Sequence, residues 1–113
     1  MNDCLFCKIG NKEIPAKLVH EDAEIFAFED IQPQAPVHIL IVPNRHIVSC
    51  AELAAGDEAV MGHLMVKAAY IAAQANVAGG FRLVSNVGRP AGQSVLHLHV
   101  HLLGGRTFRW PPG

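Results

Sequence analysis

Three histidines near the end of the chain, His97, His99 and His101, alternate with aliphatic residues. A period of two is the period of a β-strand, so the pattern predicts that all three imidazoles leave one face of a sheet. Histidine changes charge near neutral pH and serves as nucleophile, general acid–base or metal ligand. Alternate strand residues lie roughly 6.6 Å apart, so neighbouring histidines can share an ion more easily than the outer two. The pattern indicates a catalytic strip or a metal site, and the remaining alternative is the polar face of a half-buried strand.

The elements that would position these histidines follow from apolar periodicity and from breaking residues. We expect a short N-terminal helix over residues 1–10, strands over 18–20, 25–28, 37–42, 81–87 and 94–103, and a main helix over 49–76. Ser49 with Glu52 could form a capping box for the main helix, although Gly56-Asp57 offers a second start. This order predicts an α+β domain with a mostly antiparallel sheet and a helix packed on one face.

Composition limits the class of protein. The chain has 113 residues, half of them apolar, and a formal net charge of −1 with neutral histidines. One globular domain over residues 1–113 is expected, and a general nucleic-acid binder is not. All ten acidic residues lie at or before Glu58, so the half with the histidine pattern carries only cationic fixed charges. That asymmetry favours an anionic ligand such as phosphate.

Cysteine usage and hydropathy bear on the compartment. No apolar run approaches the length of a membrane span, and no basic start followed by an apolar segment indicates a signal peptide. The three cysteines form an odd set, and Cys4 and Cys7 are too close for a typical structural disulfide. We therefore expect a cytoplasmic protein with no membrane partner.

The motifs around the histidines are specific when taken together. The pattern lies between Ala91-Gly92-Gln93-Ser94-Val95 and Gly104-Gly105-Arg106, and the tail reads Trp110-Pro111-Pro112-Gly113. Further matching segments are Phe28-Glu29-Asp30-Ile31, residues 33–38 and Gly62-His63-Leu64-Met65. With these motifs, which cover essentially the whole chain, the sequence resembles the histidine triad (HIT) family and, within it, the Hint branch.

The resemblance implies a fold and an activity. The fold would be HIT-like, with a mostly antiparallel five-stranded sheet, one long helix and a short N-terminal helix. The sheets of two protomers would join across a homodimer, and Trp110 would reach the active site of the partner protomer. The activity would be hydrolysis of purine nucleoside phosphoramidates, in which AMP or GMP carries an amine on phosphorus.

The resemblance also assigns catalytic residues. His99 would attack phosphorus and form a covalent nucleotidyl-histidine, which water then hydrolyses. Such a nucleophile has to be neutral, with one ring nitrogen aimed at phosphorus and the other donating to a backbone carbonyl or a similar acceptor. His101 would bond the phosphate oxygens, and Ser94 would contact the phosphate and the departing nitrogen. His97 completes the triad, and His38 would lie beside it in a second layer.

A nucleotide pocket follows from the same resemblance. Asp30 would accept both ribose hydroxyls, and Asn86 would add an amide contact. Backbone donors around Gly92, Gln93 and Ser94 would bind the anion. An apolar set, which would otherwise be assigned to the core, matches the base pocket: Leu5, Phe6, Ile9, Ile14, Phe28 and Ile31.

A separate metal site is indicated by the cysteines. Cys4 and Cys7 have a spacing suited to zinc, and His46 and His97 are candidates to complete a Cys₂His₂ set. Many bacterial proteins that resemble this chain carry such a site and other members lack the cysteines, so the zinc would be structural and catalysis would require no cofactor. The alternatives are a pair of buried thiols or a redox pair. A metal on His97 would leave that residue unable to relay protons.

Two other functions stay open at this point. A dinucleoside polyphosphate hydrolase, as in the fragile-histidine-triad branch, fits less well because Gly92-Gln93-Ser94 and the tryptophan tail resemble Hint. A nucleotide- or zinc-dependent regulatory module with little turnover would not need a nucleophile such as His99. His20 and His63 are expected to be surface or packing residues.

Overall fold

The fold was analysed in a computed structural model that describes residues 3–113. Met1 and Asn2, which the expected first helix and the expected domain include, lie outside the described residues. The elements are α1 (Leu5–Gly10), β1 (Leu18–Glu21), β2 (Ile25–Glu29), β3 (Val37–Pro43), α2 (Glu58–Gln74), β4 (Phe81–Val84) and β5 (Val100–Gly104). All strand pairs are antiparallel, in the order β1-β2-β3-β5-β4. The expected α+β fold with a five-stranded sheet is confirmed.

The core lies on both faces of the sheet. Residues Ile25 to Phe28 of β2 are all buried, because α2 covers one face and α1 covers the other. The face under α2 holds the larger cluster, which includes Ile25, Ala27, Ile39, Ile41, Leu64, Ala68, Ile71 and Leu102. On the other face, Phe6 and Ile9 of α1 pack against Phe26, Phe28, Leu40 and Val42 of the sheet. Since α1 is short, it covers this face only in part.

The main helix begins later than expected. Two 3₁₀ turns, Cys50–Glu52 and Ala55–Asp57, occupy the start of the segment, and the Ser49 hydroxyl caps the first of them. The second of the two expected starts, at Gly56-Asp57, is the one that the α-helix uses. α2 then ends two residues before Asn76, which has a left-handed φ of 64°. No helix among the described residues is long and apolar enough to span a membrane.

The prediction of one strand over residues 94–103 is wrong, because β5 begins only at Val100. The ladder pairs Ile41 of β3 with Val100, and two residues later β3 ends at Pro43, which has no N–H to donate. On the other side β4 ends at Val84 rather than at residue 87, and the Ser85 hydroxyl then donates to the carbonyl of His99 at 2.8 Å. His97 and His99 therefore precede the regular strand.

The alternation of side chains nevertheless continues through this irregular segment. Leu98, Val100 and Leu102 are buried in the cluster under α2. The rings of His99 and His101 lie on the opposite face, with centroids 5.0 Å apart. The histidines thus occupy the part of that face next to α1.

Candidate active site

His99 is held in one tautomer by its own backbone segment. Its Nδ1 lies 2.7 Å from the carbonyl oxygen of His97. Because a carbonyl only accepts, Nδ1 carries a proton, and in the neutral imidazole the lone pair is therefore on Nε2. The Phe6 ring packs edge-on against His99 at 4.9 Å, and only 5% of the His99 surface is exposed. The result is an oriented imidazole whose Nε2, in the neutral ring, has the lone pair that a nucleophile needs.

His38 and His101 form a directed chain of hydrogen bonds. The backbone N–H of Gln34 donates to His38 Nδ1 at 3.0 Å, so the proton of a neutral His38 is on Nε2. His38 Nε2 lies 2.9 Å from His101 Nδ1 and therefore donates to it. The proton of His101 is consequently on Nε2, which gives His101 an N–H that is not bonded to His38.

Burial keeps these two rings neutral. Burial lowers the pKa of His38, and the Asp30 carboxylate, whose Oδ2 lies 3.5 Å from His38 Nε2, opposes that effect in part. Burial, followed by the electrostatic interaction with the His99 and His38 rings, lowers the pKa of His101 to about 4. Both imidazoles are therefore uncharged near pH 7, as the hydrogen-bond chain requires.

Asp30 is placed by the loop that precedes β3. Its Oδ1 accepts from the N–H of Gln32 at 2.8 Å, and its own N–H donates to the carbonyl of His38 at 3.0 Å. The ligand atoms of Asp30, His38 and His101 lie within 4.8 Å of one another, a spacing that a metal ion would accept. A metal on His38 Nε2 would, however, move the ring proton to Nδ1, which faces the N–H of Gln34. These residues are better described as a hydrogen-bonded relay.

The glycine-containing loop uses its backbone donors internally, which corrects one expectation. The N–H groups of Gly92 and Gln93 donate to Arg89 O at 2.9 Å and to Gly88 O at 3.0 Å. The buried Gln93 amide is also fully engaged, because Oε1 accepts from Gly88 N–H and Nε2 donates to the carbonyls of Val48 and Val95. Gln93 therefore stabilises the loop, and its amide does not point to a ligand.

The other polar residues of the expected pocket lie around this loop. Gly92 has a left-handed φ of 98°, and a Cβ there would come within 3.7 Å of Asn86 Nδ2. Asn86 is half-buried and Ser94 is exposed at the end of the loop. An open cavity of about 550 Å³ is lined by Ser94 together with Leu5, Val48, Arg89 and Leu96.

Only part of the apolar set assigned to the base pocket lies together in the structure. Phe6 and Ile9 of α1 are buried together with Phe28 of β2, and Ile14 packs against this cluster. Leu5 is exposed on the outer side of α1, and 94% of the Ile31 surface is exposed. The structure thus brings four of the six residues into one cluster beside His99 and leaves Leu5 and Ile31 at the surface.

Four side chains that are distant in sequence converge next to the triad: Cys4, Cys7, His46 and His97. Their ligand atoms all lie within 4.8 Å of one another, and three Sγ–Nδ1 distances are 3.3–3.4 Å. In a tetrahedral zinc site, a sulfur and a nitrogen ligand are about 3.6 Å apart. The donor set and its spacing therefore fit a bound Zn²⁺.

Both ring nitrogens of His97 are used in this cluster. Nδ1 faces the two cysteines, and Nε2 donates to the carbonyl of Pro43 at 2.9 Å. Burial lowers the pKa of His97, and the bond to Pro43 opposes this in part. Both ring nitrogens of His97 are therefore engaged by Cys4, Cys7 and Pro43, an arrangement that favours a metal-ligand role over the expected catalytic role of its ring. Its contribution to the site is the carbonyl that orients His99.

A second histidine cluster was missed by the sequence reasoning. Oδ2 of Asp22 accepts from His20 Nε2 at 2.7 Å and from His63 Nε2 at 2.8 Å, which ties the β1–β2 turn to α2. Oδ1 accepts the N–H groups of Glu24 and Ile25. Burial by itself would raise the pKa of Asp22, but these four hydrogen bonds together outweigh it and hold the pKa well below its usual range. The only local feature of the sequence that could have indicated this cluster is the spacing of His20 and Asp22, two residues apart.

Comparison with known proteins places the chain in a family. A family model described as the HIT domain matches residues 11–108. The chain is 50% identical over 111 residues to an uncharacterized HIT-like protein of Synechococcus elongatus, covering 98% of this chain and 97% of that protein. It is 43% identical over 104 residues to Protein HitA of Neisseria gonorrhoeae, covering 92% of this chain and 97% of that protein. The crystal structure of a HIT family hydrolase from Legionella pneumophila Philadelphia 1 matches with a TM-score of 0.96 and 46% identity, covering 98% of this chain and 100% of that chain. The chain therefore belongs to the HIT domain family and has the fold of a HIT family hydrolase.

Proposed function

We propose that this HIT protein hydrolyses the P–N bond of purine nucleoside 5′-phosphoramidates, as in the Hint branch, with His99 as the nucleophile. The observation that supports this most is the 2.7 Å bond from His99 Nδ1 to the carbonyl of His97, because it leaves the Nε2 lone pair for attack. Binding alone would not need a nucleophile. Hydrolase activity also agrees with the similar Legionella protein, which is described as a HIT family hydrolase.

The reaction has two displacements at phosphorus. In the first, the Nε2 lone pair of His99 forms an N–P bond while the bond from phosphorus to the amine breaks, and the amine takes up a proton relayed from solvent by the Ser94 hydroxyl. In the second, a water oxygen bonds to phosphorus and loses a proton to solvent through the Ser94 hydroxyl, the P–Nε2 bond breaks and AMP or GMP is released. Covalent catalysis of this kind replaces one difficult step by two easier ones.

The remaining residues stabilise charge and hold the nucleotide. His101 donates its Nε2–H to a phosphate oxygen, where charge builds up in the transition state. Because His101 is neutral, its single N–H has to be on the correct nitrogen, and the bond from His38 to Nδ1 places that N–H on Nε2. Asp30 accepts the ribose hydroxyls, and Asn86 adds an amide donor near the phosphate. The purine contacts the apolar cluster that includes Phe6.

We also propose a structural zinc on Cys4, Cys7, His46 and His97. When bound, the ion would cross-link α1 to the segment before β5 and supply no catalytic chemistry. The bond from His97 Nε2 to the Pro43 carbonyl is the kind of outer contact that orients a metal-bound histidine. Removal of the ion would therefore affect the orientation of His99 only indirectly, by moving the His97 carbonyl to which His99 is bonded.

The assembly that we propose is a homodimer. Met65, Val66 and Tyr70 are exposed apolar residues on the outer side of α2. Strand β4 pairs only with β5 among the described strands, so its other edge is open. Trp110 is 83% exposed in the single chain. A partner protomer would cover these surfaces and bring Trp110 to the partner active site.

The test is turnover of AMP joined through phosphorus to a lysine side-chain amine. Wild type should release AMP, whereas His99→Ala should lose activity by about 10⁴-fold or more, since it removes the nucleophile. His63→Ala is the matched control, because it removes a histidine that lies outside the site, and it should retain turnover. Ap₄A is assayed in parallel, and a preference for Ap₄A would favour a dinucleoside polyphosphate hydrolase. Binding of AMP without turnover of either compound would favour a binding module.

A further inference from the structure

Arg106, which follows β5, holds a distant loop by directed hydrogen bonds. Its Nε donates to the carbonyl of Gln34 at 3.0 Å, and its Nη1 donates to the carbonyl of Thr107 at 3.1 Å. Its Cζ lies 4.3 Å from the centroid of the Phe108 ring. Among residues 3–113, no carboxylate oxygen lies within 4 Å of this guanidinium. The group therefore acts as a backbone tether and not as half of an ion pair.

Gln34 is bonded through both of its backbone polar groups, which belong to the two peptide units that flank its Cα. Its carbonyl accepts from Arg106, while its N–H is the donor that faces His38 Nδ1 at 3.0 Å. The loop is also packed closely against the same segment, since a Cβ built on Gly105 would lie 2.9 Å from Pro36 Cβ. The position of the Gln34 N–H therefore depends on the residues that follow β5.

We propose that Arg106 is a positioning residue for His101, acting through Gln34 and His38. By holding the Gln34 carbonyl it keeps the Gln34 N–H on His38 Nδ1, which keeps the His38 proton on Nε2. His38 then donates to His101 Nδ1, and the His101 proton stays on Nε2. The effect on turnover rests on the function proposed above, whereas the tautomers of the two histidines do not.

Loss of the tether would allow the whole relay to invert. If the Gln34 N–H moves away, the His38 proton can sit on Nδ1, and His38 Nε2 then accepts a proton from His101 Nδ1. His101 Nε2 would then carry a lone pair instead of a hydrogen. The lone pair would repel a phosphate oxygen, whereas the N–H would donate a hydrogen bond to it. Because the tether is one ordinary hydrogen bond, its loss should lower kcat by about three- to tenfold.

The experiment measures tautomers and kinetics in the full-length protein. Wild type labelled with ¹⁵N-histidine should show the Nε2–H tautomer for His38 and His101 in long-range ¹H–¹⁵N spectra. In Arg106→Ala, the spectra of His38 and His101 should shift toward a mixture of the two neutral tautomers. The value of kcat should fall about three- to tenfold, with little change in KM. Arg109→Ala is the matched control from the same tail, and it should retain wild-type spectra and turnover.

Gln34→Pro removes the N–H but keeps the carbonyl, so it tests the intermediate step. It should shift both tautomers even though Arg106 is present, and adding Arg106→Ala should change neither spectra nor kcat further. Wild-type tautomers in Arg106→Ala, or the same shift in Arg109→Ala, would overturn the proposal. If wild type itself releases no AMP, the proposed function fails, while the spectra still decide this inference.

Discussion

Nε2 of His38 lies 2.9 Å from Nδ1 of His101, across the paired strands β3 and β5. The ladder pairs Leu40 with His101 and His38 with Leu103, so the two histidines are diagonal neighbours on one face. Diagonal positions are about 7–8 Å apart at the backbone, which two imidazoles can bridge. A backbone donor at one end of this pair therefore determines which nitrogen of His101 carries a proton at the other end.

Stability should depend on pH through His101. Its folded pKa is lowered to about 4, below the unfolded value of about 6.5. Between these values the unfolded chain binds a proton that folded His101 does not, so stability falls as pH falls, by up to about 1.4 kcal/mol per pH unit. In urea unfolding from about pH 4.5 to 7.5, His101→Gln should give a flatter curve than wild type. Parallel curves would mean that His101 is charged in the folded protein.

The covalent step predicts a detectable intermediate. Rapid quenching of wild type with a phosphoramidate should give protein that carries one nucleotidyl group, because the second displacement needs water to reach the same phosphorus. Mass spectrometry of peptides should locate the group on His99. His99→Ala should carry none under the same conditions. A group located on His101 would reassign the nucleophile.

The zinc proposal predicts that the purified protein contains one zinc per chain. Removal by a chelator should lower Tm by about 5 °C or more, because 1 kcal/mol corresponds to roughly that shift in a small domain. Cys7→Ser should behave like the chelated protein, and Cys50→Ser, which leaves all four ligands in place, is the control. Metal-free protein with an unchanged Tm would exclude a stabilising metal at this site.

The cluster at Asp22 should contribute to stability and not to catalysis. Its low pKa means that the carboxylate stabilises the fold at neutral pH, and this contribution is lost as pH falls from about 4 toward the folded pKa. Asp22→Asn should cost about 1.5–3 kcal/mol at pH 7, the range for hydrogen bonds to a charged group. The gap to wild type should narrow below about pH 4. Glu24→Gln, at an exposed neighbouring carboxylate, should change neither stability nor turnover.

The homodimer can be tested at the outer side of α2. Sedimentation of wild type should give twice the 12.2 kDa of one chain. Val66→Lys places a charge on an exposed apolar position and should shift the protein to monomer. Glu58→Lys, at the exposed start of the same helix, is the control and should remain dimeric. A wild-type monomer at micromolar concentration would contradict the proposal, together with the position suggested for Trp110.

The alternation of three histidines with Leu98, Val100 and Leu102 was enough to predict that the histidines share a face, because side-chain direction in extended backbone has a period of two. Apolar periodicity likewise predicted a strand over residues 37–42, and β3 spans Val37–Pro43. The motif around Ser94 and the triad predicted the family, since their combination is specific. These features are local, and local sequence therefore determined them.

The tertiary structure decided which atoms are used. His97 turns its ring to Cys4 and Cys7, about ninety residues away in sequence, so only the fold separates its role from that of His99. The late start of β5 could not be predicted from local sequence either, because it depends on where the neighbouring strands β3 and β4 stop, at Pro43 and Val84.

Hydrogen bonds to distant partners account for the remaining differences. The Gln93 side-chain amide bonds to Gly88 and Val95 nearby and to the carbonyl of Val48, which only the folded chain brings near. His20 and His63 meet on Asp22 across the sheet and the helix, and the residues flanking each of them do not indicate it. Sequence by itself determined side-chain direction and family, whereas tautomers, ligand sets and donors were decided by contacts that form only when remote segments pack together.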